Sequence, residues 1–92
     1  MEFSYDTVKN DILYRTRGVT FSMVIEAIAE KGILLTFDHP NQLKYPNEKV
    51  LVVELDGYAH CVPYVIEGET WCLKTIYPDR RFKHLIEGEP HG

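Results

Sequence analysis

The sequence predicts an α+β domain in which two N-terminal helices pack on a mostly antiparallel sheet of about four strands and a short helix follows at the C-terminal end. Three observations carry that expectation. Apolar residues recur at helical spacing between residues 7 and 31, and runs rich in β-branched and aromatic residues take over from residue 33. Asp56-Gly57 between two such runs is the strongest short hairpin signal, because a type I′ turn needs positive φ at both central positions. Ninety-two residues, 45% hydrophobic and 26% charged, fit one domain over residues 1–92 with a core of modest size.

The elements follow in order. After MEFSY, Asp6 is placed to cap a helix over about residues 7–17, with Val8, Ile12 and Leu13 at helical spacing and Gly18 as a left-handed stop. Thr20 caps a second helix whose stripe is Phe21, Val24, Ile25 and Ile28; Val19 can staple against Val24, and Gly32 ends it. ILLTF, KVLVVEL, YAHCVPYVI and WCLKTIY then read as strands. DHPNQLKYPNE, between the first two, reads as a surface loop whose length suits a mobile flap.

Two-residue turns at Asp56-Gly57 and Glu67-Gly68 set a register in which Leu55 faces Tyr58 and Tyr64 faces Trp71. One sheet face then bears Leu51, Val53, Leu55, Tyr58, His60, Val62, Tyr64, Trp71, Leu73, Thr75 and Tyr77. The other bears Val50, Val52, Glu54, Ala59, Cys61, Val65, Cys72, Lys74 and Ile76, and the aliphatic side is expected to face the helices. Cys61 and Cys72 lie diagonally in this register, too far apart for the Cβ separation of about 3.8 Å in a disulfide, so two reduced thiols are expected. Pro63 lacks a ladder donor and must point its nitrogen away from a neighbour or sit at a bulge. After Pro78-Asp79, RRFKHLIEG is expected to form about two helical turns with Phe82, Leu85 and Ile86 on one side, and the tail EPHG to fray.

Charge is distributed unevenly. KTIYPDRRFKH, residues 74–84, holds four of the ten Lys and Arg residues and one of the fourteen carboxylates, a formal +3 against −7 in the rest of the chain. An acidic protein does not coat nucleic acid by bulk attraction, but a local basic patch acts at contact range. No apolar run is long enough to span a bilayer, and MEFSYD is acidic where a signal peptide is basic, so a cytoplasmic protein is expected. Cys61 and Cys72 make no zinc-like spacing with His39, His60, His84 or His91, so no metal and no cofactor are expected. There is no Gly-rich phosphate loop and no Ser nucleophile elbow.

Lys74, Tyr77, Arg80, Arg81 and Lys83 have the composition of a small RNA site: guanidinium groups grip phosphates, and an adjacent ring stacks on a base. The same residues also fit a helix whose cations face water while Phe82, Leu85 and Ile86 pack. Lys9, Arg15 and Arg17 form a second basic set, and Lys9 and Arg17, two turns apart, share a helix face. His60 is the histidine of the strand runs, able to exchange protons near neutral pH, with His84 a second candidate.

The opening YDTVKNDILYRTRGVTFSMVIEAI resembles the aromatic-Asp-x-x-Lys…(basic)-Gly-Val-(Ser/Thr)-Phe pattern of the BrnT toxins, and LKTIYPDRRFK resembles their last strand and basic helix. The pattern R-G-(V/I)-(T/S)…V-x-E-A-(I/L) is shared with small domains of the wider RelE/ParE-like superfamily. The resemblance implies a RelE-like fold and a ribonuclease toxin of a type II toxin–antitoxin pair. Such a toxin cuts RNA without a metal, by 2′-OH attack on the adjacent phosphate, and is neutralised by an antitoxin with a ribbon-helix-helix DNA-binding part. Lys9, Arg17 and Arg80 match the basic positions of that family; Lys74, Tyr77, Arg81, Lys83 and His60 come from the residues alone. This chain departs from the pattern in its acidic charge, its short last helix and Arg17 where the family often has His. Arginine stays protonated at neutral pH, which favours holding phosphate over moving a proton. The second expectation is therefore a non-catalytic RelE-like binding protein that has lost nuclease activity. A homodimer is compatible with either.

Overall fold

Each of the two long helices begins where a side chain satisfies free backbone donors. In the computed structural model, which describes residues 1–87, Asp6 Oδ1 accepts from the Val8 and Lys9 amides at 2.8 and 3.2 Å and opens α1, Thr7–Arg17. Gly18, with φ of 71°, takes the left-handed position that stops it. Thr20 Oγ1 caps α2, Phe21–Lys31, by accepting from the Met23 amide. Asn10 Oδ1 accepts from the Phe21 amide at 2.8 Å, tying the two helices together where almost no linker separates them.

The sheet has six strands: β1 Glu2–Tyr5, β2 Leu35–Asp38, β3 Lys49–Leu55, β4 Tyr58–Glu67, β5 Thr70–Leu73 and β6 Tyr77–Pro78. Their order is β1-β5-β4-β3-β2, with β6 continuing on β4 beyond the end of β5. The fold is thus α+β as the sequence indicates, with a sheet larger and more mixed than expected. MEFSY contributes β1, which joins β5 in parallel with Phe3 opposite Trp71. That pairing is between chain ends, so no local turn signal announces it.

Asp56 and Gly57 have φ of 52° and 81° and place Leu55 opposite Tyr58, as the turn requires. The next turn is Gly68-Glu69, one residue later than expected, so Tyr64 faces Leu73 and not Trp71. A shift of two in register preserves the faces. Tyr64 still stacks on Trp71, with ring centroids 4.5 Å apart.

The face bearing Leu51, Val53, Leu55, Val62, Tyr64 and Leu73 packs against Leu13, Val19, Phe21, Val24 and Ala27 of the helical region. This corrects the expectation that the aliphatic face would meet the helices. The large residues of this face fill the wide space beneath an α-helix, whereas Val50, Val52, Ala59 and Cys61 form a flatter surface. That second surface is covered by Tyr77, Phe82, Leu85 and Ile86. Within α1 only Leu13 is buried; Val8 and Ile12 face solvent, because α2 and not α1 lies over β3.

A bulge reassigns the end of the last strand run. Tyr64 pairs with Leu73 and Cys61 with Tyr77, so residues 74–76 oppose only residues 62 and 63. Ile76 is thereby turned into the helix-side core and Tyr77 onto the other face, the reverse of the simple alternation. Pro63 sits at this interruption. Its carbonyl accepts from the Lys74 amide at 2.8 Å, and since N and O of an antiparallel residue point the same way, its missing donor faces the bulged segment.

The loop between β2 and β3 is internally bonded. Asn41 donates its amide to His39 Nδ1 at 3.0 Å, Tyr45 donates to the Asn41 carbonyl, and the His39 and Tyr45 rings lie 4.5 Å apart. The expected C-terminal helix is a 3₁₀ turn, Arg80–Phe82, followed by α3, His84–Glu87. The tail EPHG lies outside the described residues. No helix among those residues is long and apolar enough to cross a membrane.

Candidate functional site

Asp79 organises the segment that carries most of the expected cations. Its Oδ1 accepts from the Arg81 amide at 3.0 Å, capping the 3₁₀ turn, and the Arg81 guanidinium binds the same carboxylate through Nε at 3.0 Å and Nη2 at 2.6 Å. The Cys61 thiol donates to Oδ2 at 3.6 Å from the sheet below. The hydrogen bond from Arg81 holds the Asp79 carboxyl at about 2. Burial, with the charge of Asp79 beside it, pushes the Cys61 thiol up to about 12, and burial also raises Tyr77. Cys61 is therefore a packed thiol and no nucleophile. Cys72 is half-buried, and both cysteines are reduced.

This anchoring divides two neighbouring arginines. Arg81 is spent on Asp79, whereas Arg80 makes no ion pair among the described residues. Arg80 and Lys83 line an open groove of about 860 Å³ between the β3–β4 turn and α3. Its walls are Gly57, Tyr58, Ala59, Pro78, Ile86 and the carboxylates Asp79 and Glu87. Lys83 lies 3.4 Å from Glu87 in an exposed i,i+4 pair, which exchanges readily with solvent or ligand. Tyr58 borders the groove but pairs with Leu55, so its ring, 70% exposed, leaves the sheet on the helix-side face. An apolar floor beside two exposed cations makes a surface suited to an anion.

The other expected residues are placed elsewhere. Lys9 and Lys74 line a smaller groove of about 390 Å³, with Ser4, Tyr5, Asp6, Cys72 and Leu73, which shares no residue with the first. The two basic segments from opposite ends of the chain do meet here, because parallel pairing of β1 with β5 brings the start of α1 beside Lys74. Arg17 Nη1 donates to the carbonyl of Ile76, in the bulge. Tyr77 packs in the second core cluster. His60 is only 8% exposed, its Nδ1 3.0 Å from the Tyr58 carbonyl. It pairs with Val53 and so points to the helix-side face, whereas Ala59 and Cys61 point to the α3 side.

Arg80 and Lys83 are thus brought together, Lys9 and Lys74 form a second pair, and Arg17, Tyr77, Arg81 and His60 each serve a local contact. Tyr58 and Asp79 were not singled out from the sequence. Tyr58 carried a signal in its place directly after the Asp-Gly turn, where a strand residue is least covered. Asp79 resembles any turn residue until its partners are seen. Comparison with protein-family models, curated proteins and solved structures finds no match.

Proposed function

We propose that this chain is a non-catalytic binding protein that holds single-stranded RNA in the groove between the β3–β4 turn and α3. The reading is carried by the pairing of an unpaired guanidinium, Arg80, with Lys83 over an apolar floor. Arg80 grips a phosphate in bidentate fashion, and Lys83 exchanges Glu87 for a second phosphate. Asp79 keeps Arg81 out of competition and fixes the turn that presents Arg80.

Binding is favoured over cutting because Asp79 is held on Arg81 and ionised down to about pH 2, and His60 lies on the other sheet face, so neither is placed to take a proton from a 2′-OH. A general base works best when its pKa is near the working pH and it is within reach of the proton. The test is fluorescence anisotropy with a labelled single-stranded RNA, followed by electrophoresis of the same sample. Saturable binding of RNA that stays intact is the expected result. Cleavage that disappears in Arg80→Ala would establish instead the nuclease that the BrnT resemblance implies, and absence of both binding and cleavage would remove the RNA reading.

A further inference from the structure

Lys9 and Lys74 do not belong to the groove assigned above, yet their arrangement is that of an anion site. They come from the first turn of α1 and from the residue after β5, and both line the same 390 Å³ recess. Neither forms an ion pair among the described residues. Asp6 lines the recess too, but its Oδ1 is occupied by the Val8 and Lys9 amides, so its charge offsets one lysine and leaves a net positive site. Ser4 adds a hydroxyl on the wall. Lysine ammonium groups act on phosphate as mobile point charges, so the recess suits one backbone phosphate rather than a shaped base.

The chain itself measures how far this recess lies from Arg80. Arg80 is the sixth residue after Lys74, and a fully extended chain advances at most about 3.6 Å per residue, giving a ceiling of roughly 22 Å between their Cα atoms. The bulge at residues 74–76 shortens the path further. A single strand of several nucleotides covers such a span, and non-specific single-strand sites commonly extend over about 4–16 nucleotides.

We propose that the Lys9–Lys74 recess is a second phosphate subsite for the same strand, so that the substrate is a single-stranded RNA long enough to occupy both grooves. This rests on the RNA reading of the Arg80–Lys83 groove. A dinucleotide engages one groove only, whereas a strand of about ten nucleotides engages both.

The experiment measures binding of a labelled dinucleotide and of a labelled decanucleotide as a function of salt. For single strands the slope of log affinity against log salt changes by about 0.7 for each phosphate neutralised. The decanucleotide is expected to bind more tightly and with a steeper slope. Lys74→Ala and Lys9→Ala should each lower that slope, by about 0.7 at most for the one phosphate they share, and Lys74→Arg should retain it. Lys74 is exposed and Lys9 half-buried, and the Lys74 amide bond to Pro63 survives the substitution, so retention of the fold is checked by circular dichroism. Decanucleotide binding that falls with Arg80→Ala but keeps its slope in both lysine variants overturns the second subsite and leaves the first groove standing. No binding of either probe overturns both.

Discussion

The two faces of the sheet are built on the same strands and do different work. On one, Leu51, Val53, Val62 and Tyr64 are sealed beneath Phe21 and Val24, each of the six at most 2% exposed. On the other, Val50, Val52, Ala59 and Cys61 are covered by four partly buried residues of a short strand, a 3₁₀ turn and a one-turn helix. The thick cover carries stability, and the thin one leaves a groove edged by Arg80, which has no ion pair among the described residues, and by the loosely paired Lys83. A helix of four residues has no stability of its own, so its position depends on Phe82, Ile86 and the Asp79 clamp.

Substitutions on each side should separate these roles. Phe21→Ala removes a fully buried ring that stacks on Tyr5 at 5.0 Å and should destabilise the chain by about 3–5 kcal/mol in chemical denaturation. Phe82→Ala removes a partly buried ring stacked on Phe37 and should cost about 1–2 kcal/mol, with amide exchange rising in residues 80–87 while α2 stays protected. Equal effects of the two substitutions would break the comparison.

Asp79→Ala comes next, expected at about 0.5–2 kcal/mol from the lost cap. The same group makes the thin cover acid-sensitive. Its carboxyl is ionised down to about 2 when folded, against 3.8 ordinarily, so its stabilisation is complete above the ordinary value and is lost as pH falls from about 4 towards 2. Amide exchange in residues 79–83 should therefore rise over that window, and Asp79→Asn should flatten the dependence. The smallest effect concerns the thiols: Cys72 should react with an alkylating reagent in the native state, whereas Cys61 should react only on unfolding.

Much of this architecture was legible because its signals are local. Asp6 and Thr20 cap helices by bonds to their own next residues, and Asp-Gly fixes a turn by backbone sterics, so neighbours in sequence decide the outcome. What escaped depends on distant partners. β1 exists because Trp71 and Cys72 offer it an edge. The bulge that exchanges Ile76 and Tyr77 between faces needs the mismatch of β4 with two partners in succession. The candidate site divides the same way. Arg80 and Lys83 stand out as charge in the sequence, but only the Asp79 contact distinguishes Arg80 from Arg81, and only sheet parity removes His60 from the groove.

The most direct test of the central claim is a chemical-shift map of the isotopically labelled protein titrated with single-stranded RNA. The account predicts that the amides of Tyr58, Ala59, Arg80 and Lys83 shift most and that Arg80→Ala abolishes these changes. Shifts confined to the α2 side of the sheet, or a titration that leaves this groove unmoved, would contradict it.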